Sequence, residues 1–177
     1  MKLLIASDVH GSAPATKKLV DMYGKSGAER LVLLGDILYH GPRNDLPEGY
    51  APKEVISLLS PLKEKILCVR GNCDAEVDQM VLPFPILAEY AVLFLDGRLV
   101  YLAHGHHSEP PLSKGDILIS GHTHVPGIME GEVIKMNPGS ISIPKQGFPP
   151  TVLWYDDGVY SIRTFEGKEL FHLEVRS

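Results

Sequence analysis

Three short, almost uninterrupted apolar runs, residues 2–7, 30–35 and 65–70, alternate with segments of helical periodicity, and no other feature limits the fold as tightly. Runs rich in Leu, Ile and Val with no polar face suit parallel strands covered on both sides. Between the first two, residues 14–26 place Ala15, Leu19 and Met22 on one face, with Pro14 near the start and Gly27 just past the end. Between the second and third, residues 52–62 carry Val55, Ile56 and Leu59 at helical spacing. This is βαβαβ organisation. The second half reads as strands: residues 91–95 and 98–103 flank Asp96-Gly97, and residues 151–155 and 159–164 flank Asp156-Asp157-Gly158, two hairpin signals. Further strands are expected over 116–120, 132–136 and 170–175. The expected fold class is α/β (α+β), two packed mixed sheets with helices outside, and residues 1–177 as one domain.

Charge and cysteine content narrow the setting. Seventeen Lys and Arg against 22 Asp and Glu give a net charge of −5, which argues against an extended nucleic-acid surface or a grip on anionic membrane. No apolar stretch approaches the length of a spanning helix, and the first run reaches Ser7-Asp8 at once, too soon for a signal peptide. Cys68 and Cys73 fit neither a disulfide framework nor a zinc ribbon, so a reducing, cytoplasmic location is expected. Gly-x-Gly-x-x-Gly is absent after the first run, which removes dinucleotide binding. Phe148, Trp154, Tyr155 and Phe165 read as sheet packing or an oligomer contact. The surface run at residues 87–92 is a candidate for cover by a second copy, so a homo-oligomer is expected.

Five polar clusters each follow an expected strand: Asp8-Val9-His10, Gly35-Asp36, Gly71-Asn72-Cys73-Asp74, His104-Gly105-His106 and Gly121-His122-Thr123-His124. Singly they are weak. Asp36 serves equally as a turn or helix cap, and His104 as a partly buried histidine. Jointly they gather Asp8, His10, Asp36, Asn72, His104, His122 and His124, a set suited to borderline and hard divalent cations, with no thiolate cage. Two ions held close together need a bridging carboxylate and flanking ligands. A dinuclear metal site is the reading this chemistry favours.

The order D-x-H, G-D, G-N-C-D, a lone His and G-H-x-H resembles the calcineurin-like metallophosphoesterase family, most of all its small bacterial phosphodiesterases. The resemblance extends through residues 40–52, 70–78 and 137–140. It implies a four-layer sandwich of two mixed sheets flanked by helices. It also implies two divalent metal ions, Mn first, with Fe, Zn, Ni or Co as alternatives. Asp8, His10 and His124 would hold one ion and Asn72, His104 and His122 the other, with Asp36 bridging. The implied activity is hydrolysis of a small phosphodiester by metal-activated hydroxide.

Cys73 departs from the family, where histidine often protonates or stabilises the leaving oxygen. A thiol is a poor donor, so diesters with aryl-like leaving groups are expected over monoesters. A space-filling cysteine is the plainer role. Arg43 is a candidate phosphate contact, or an exposed arginine. Asp74 is a candidate site residue, or a local cap. His106 either orients a ligand or touches substrate, or faces water. Arg70 is expected to anchor the Asn72 loop to Asp74 or Asp8. Asn137 and Ser140 read as turn formers first, and Lys145 as a solvated loop residue. The alternatives are a nucleotide or cyclic nucleotide phosphodiesterase, and a noncatalytic protein-binding scaffold, as the fold serves in a eukaryotic trafficking complex. Seven retained ligand positions weigh against the scaffold.

Overall fold

The computed structural model describes residues 1–175. Strands β1 (Lys2–Ala6), β2 (Arg30–Leu33) and β3 (Ile66–Cys68) pair in parallel, joined by helices α1 (Ala13–Ser26) and α2 (Pro52–Leu59). A 3-10 turn, Ser60–Leu62, extends α2 to the expected end of that segment. After the short helix α3 (Glu76–Gln79) come β4 (Tyr90–Leu95), β5 (Arg98–Ala103), β6 (Ile117–Ser120), β7 (Gly127–Met129) and β8 (Ile134–Asn137). The chain then forms β9 (Thr151–Asp156), β10 (Val159–Thr164) and β11 (Glu169–Glu174). Two mixed sheets result, one ordered β11-β10-β9-β1-β2-β3 and the other β4-β5-β6-β8-β7.

The apolar runs of the first half become strands with two covered faces. In β1, Leu4 and Ala6 meet Leu19 of α1 and Val55 and Leu59 of α2, while Leu3 and Ile5 point the other way. There they join Val100 and Leu102 of β5 and Ile117 and Ile119 of β6, forming the core between the sheets. Helix α1 begins where the Ser12 hydroxyl accepts from the Ala15 N–H, and it ends at Gly27 in the left-handed conformation. Helical cover is concentrated on the six-stranded sheet. The outer face of the other leaves Tyr90, Val92, Phe94 and Leu99 exposed. Of the 87–92 run expected at the surface, Leu87 instead packs against the first core. Among the described residues no helix is long and apolar enough to cross a membrane.

Both hairpins close with two residues at positive φ, Asp96-Gly97 and Asp157-Gly158, the geometry that matches strand twist. Asp156, expected in the second turn, extends β9 instead and pairs with Lys2. Strand β7 and helix α3 were not anticipated, because three or four residues carry too little periodicity to register.

The topology has one functional consequence. β1, β2 and β3 run parallel in one sheet, and β5, β6 and β8 run parallel in the other. The loops leaving the C-terminal ends of these strands meet at one rim, where an α/β architecture places its reactive groups.

Candidate metal centre

Five side chains at this rim are buried although all are polar: Asp8, His10, Asp36, His104 and His124 are each 3% exposed or less. His122 is half-buried and Asn72 exposed, which sets the open side of the group. Asp8, His10, Asp36, His122 and His124 also adopt left-handed backbone, five of the eight non-glycine residues at positive φ among those described. Asp and His tolerate that region better than most residues, yet each still costs on the order of 1 kcal/mol. Sharp reversals straight after the strands turn these side chains inward. Close approach of the loops depends on two glycines. A Cβ on Gly71 would collide with the Asp36 backbone and carboxylate, and one on Gly121 with Ser7 and Asp8.

The tautomers decide what the group can bind. Each buried imidazole sends Nδ1 to a backbone carbonyl: His10 to Tyr39 at 2.9 Å, His104 to Leu34 at 2.6 Å and His124 to Ile143 at 2.8 Å. A carbonyl only accepts, so Nδ1 carries the proton and, in the neutral ring, Nε2 is a lone pair. Those lone pairs converge on carboxylates. Asp8 Oδ1 lies 3.2 Å from Nε2 of His124, 3.6 Å from that of His10 and 3.9 Å from that of His104. Asp36 Oδ2 stands between His10 and His104, at 3.6 and 3.4 Å. Around His104 Nε2 there are also the Asn72 Oδ1 at 3.1 Å and the His122 Nδ1 at 3.3 Å. Asp8 Oδ1 is buried and makes no hydrogen bond of good geometry.

Lone pairs facing anionic oxygens repel unless something positive lies among them. Two clusters suited to cations result, Asp8 with His10 and His124, and Asp8 with Asp36 and His104. They overlap at Asp8, while Asp36 also falls in a third group with His10 and Cys73. The donor set fits a pair of divalent ions, carboxylate and imidazole throughout.

Without a cation, protons fill that role. Burial pulls the His104 pKa down, but Asp36 and Asp8 outweigh it and raise it to about 9. His10 is raised as well: burial opposes, and the Asp8 carboxylate beside it prevails. Burial would lift Asp8, yet His10, His124 and His104 hold it far below the usual carboxylate range, and Asp36 is lowered chiefly by His104. His122 is lowered by burial and by the charge on His104.

Supporting residues hold this arrangement from outside. The backbone oxygen of Asp8 accepts from the hydroxyls of Ser140 at 2.8 Å and Ser142 at 2.9 Å. Asn137 donates to the Gly121 carbonyl at 2.7 Å, and the His122 N–H donates to Asp8 Oδ2 at 3.0 Å. Asp74 is 3% exposed and is absent from the residues lining the polar cleft around Asp36, His122 and His124. Its carboxylate accepts from the N–H groups of Asp36, Ile37 and Gly71 at 2.8–2.9 Å, tying the β2 and β3 exits together. Burial raises its pKa, against those three donors. Arg70 corrects its expected pairing: Nε donates to the Asp74 carbonyl, not its carboxylate, and Nη1 lies 3.8 Å from Glu89.

The remaining expected residues lie around the centre, in three different cavities. Cys73 donates its N–H to Asp36 Oδ1 at 2.8 Å, while burial and Asp36 push its thiol up to about 12. Arg43 lines a polar cleft of about 390 Å³ with Asp36, Asn72, His122 and His124. Lys145, expected in solvent, is exposed and lines the same cleft, as does Asn44. Its position is illegible in sequence because it depends on the Lys145 N–H reaching the His124 carbonyl. His106 packs edge-on to His104 at 5.3 Å between ring centroids, and burial and neighbouring imidazoles lower its pKa to about 4.

Two outcomes follow. Asp74→Ala leaves three buried N–H groups without an acceptor, at about 1–3 kcal/mol each, so urea denaturation should show a loss of about 3 kcal/mol or more. Metal uptake near pH 7 must expel the proton that His104 holds up to about pH 9. Calorimetric titration in two buffers of different ionisation heat should therefore give different heats below pH 9, converging above it; equal heats at pH 7 would contradict the assignment. In the metal-free chain the same group adds stability that is complete below pH 6.5 and disappears as pH rises through about 9.

Comparison with known proteins accords with this geometry. Residues 1–157 match the calcineurin-like phosphoesterase superfamily domain. The chain is 48% identical over 167 residues to the phosphodiesterase YfcE of Escherichia coli K12, covering 92% of this chain and 91% of that protein. The solved structure of the E. coli phosphoesterase YfcE superposes with a TM-score of 0.95 at 44% identity, covering 99% of this chain and 100% of that one. The phosphodiesterase MJ0936 of Methanocaldococcus jannaschii is 25% identical over 151 residues, 78% of this chain and 83% of that protein. By fold, site and sequence, the chain belongs to the calcineurin-like phosphoesterase superfamily.

Proposed function

We propose that this protein hydrolyses small phosphodiesters at a dinuclear centre, with Mn²⁺ as the first ion to test and Fe, Zn, Ni or Co as alternatives. The observation that carries this reading is the convergence of three imidazole lone pairs on Asp8 and Asp36, each ring locked by a carbonyl at Nδ1. Asp8, His10 and His124 would hold one ion, Asn72, His104 and His122 the other, and Asp36 both. Two bound ions would supply charge neutralisation at the phosphate oxygens and lower the pKa of the attacking water.

The chain's own residues then govern binding and leaving-group departure. Arg43 and Lys145 flank the polar cleft and place positive charge where a phosphate would sit. On the Cys73 side lies a cavity of about 350 Å³ whose walls include Leu38, Tyr39, Tyr50, Pro52 and Val77. Such a wall suits an apolar or aromatic substituent. The Cys73 thiol, neutral at any ordinary pH, brings no positive charge to the leaving oxygen. Both features support a preference for diesters with aryl-like leaving groups over monoesters, whose dianion lacks an extra cationic donor. The two free thiols, Cys68 and Cys73, support a reducing, cytoplasmic setting, and the exposed Tyr90, Val92 and Phe94 of β4 support a homo-oligomer.

Mn²⁺-reconstituted enzyme should cleave an aryl diester faster than the matched aryl monoester or a cyclic nucleotide. Asp36→Asn should lower both metal content and rate, the latter by about 100-fold or more. A monoester rate equal to the diester rate, or a variant with undiminished turnover, would sink the reading. Cys73→His should raise the rate on diesters with poor leaving groups by about 10-fold or more. A fall in that rate, in a variant still holding both ions, would reject the role given to the cysteine.

A further inference from the structure

Next to this centre, at the outer rim of the five-stranded sheet, Glu89, His106 and His107 bring one ligand atom each to within 4.8 Å of one another. His107 Nε2 lies 3.2 Å from Glu89 Oε2, and the His106 and His107 rings are tilted at 42° with centroids 3.8 Å apart. The other Glu89 oxygen, Oε1, faces Arg70 Nη1 at 3.8 Å, so one oxygen is turned to a cation and one to imidazole. His106 Nδ1 is buried and has no hydrogen-bond partner. The three line a cavity of about 430 Å³ that also includes Tyr90 and Glu109. Glu109 is already committed, 2.6 Å from Lys135 Nζ.

A histidine–glutamate ion pair would use His107 and Glu89 and leave His106 without a purpose in the arrangement. A metal ion uses all three. We propose that Glu89, His106 and His107 hold an additional divalent ion, distinct from those of the Asp8 and Asp36 centre. Two imidazoles and one carboxylate suit a borderline divalent ion such as Zn²⁺, Co²⁺ or Ni²⁺. Three protein ligands leave a coordination position open on the cavity side. The ion would clamp the connection between β5 and β6 to the segment entering β4. Through His106, which stacks edge-on to His104 and tilts toward His122 at 6.2 Å, the clamp would fix one wall of the catalytic opening.

The test compares total bound metal in the parent holoprotein with His107→Ala and Glu89→Gln, after Mn²⁺ loading, exposure to excess Zn²⁺ and removal of free ions. The parent should retain one more ion per chain than either variant. Equal totals overturn the proposal, whatever number the Asp8 and Asp36 centre retains, so its failure is separable from failure of the dinuclear reading. A Zn²⁺-soaked parent crystal supplies a measurement that does not depend on the variants folding. An anomalous peak within bonding distance of all three side chains is expected. No peak among these three side chains ends the proposal, whatever the Asp8 and Asp36 centre holds, and a peak touching only one of them is adventitious surface zinc only and ends it too.

Discussion

Burying two carboxylates beside imidazole lone pairs is a desolvation problem, and the rest of the structure is organised around it. Taking a single carboxylate out of water costs several kcal/mol even after relaxation. Asp8 and Asp36 are both almost fully buried, and the imidazoles of His10, His104 and His124 face their remaining oxygens. With Nδ1 of each ring engaged by a carbonyl, only a proton or a metal ion can reconcile the remaining atoms. The raised pKa values of His10 and His104 express the proton solution, which a bound metal ion would replace.

Holding that arrangement requires a scaffold that resists relaxation. Five candidate ligands occupy left-handed backbone, a conformation that local sequence alone would not maintain. The two cores beneath them supply rigidity: strands β1 and β2 are covered on both faces, so the loops leaving them start from fixed points. Asp74 joins the loops leaving β2 and β3 through backbone donors, and Ser140 and Ser142 fasten the loop leaving β1. Asp74 is therefore a positioning residue, acting through the backbone of Asp36.

The two walls of the opening differ in chemistry. Arg43 and Lys145 border one side, whereas Tyr39, Tyr50 and Val77 border the side reached from Cys73. The proposed preference for diesters rests on that asymmetry, since a diester carries an anionic centre between two substituents of independent character. The proposed preference for good leaving groups rests on the Cys73 thiol, which stays neutral.

The elements and the candidate ligands were largely legible in sequence because both are written locally. Apolar runs marked β1, β2 and β3, helical spacing marked α1 and α2, and each polar cluster followed its strand at once. The partners that orient those ligands were not legible. Asp74 bonds to Asp36 across 38 residues and Ser142 to Asp8 across 134, and nothing in the intervening sequence encodes the encounter. The same holds for Lys145, and for Glu89 meeting His107. What the sequence by itself determined is which side chains stand at strand exits, since periodicity and composition act over a few residues. What only the tertiary structure decided is which ring nitrogen faces which carboxylate oxygen, because that depends on carbonyls brought from distant strands when the two sheets pack.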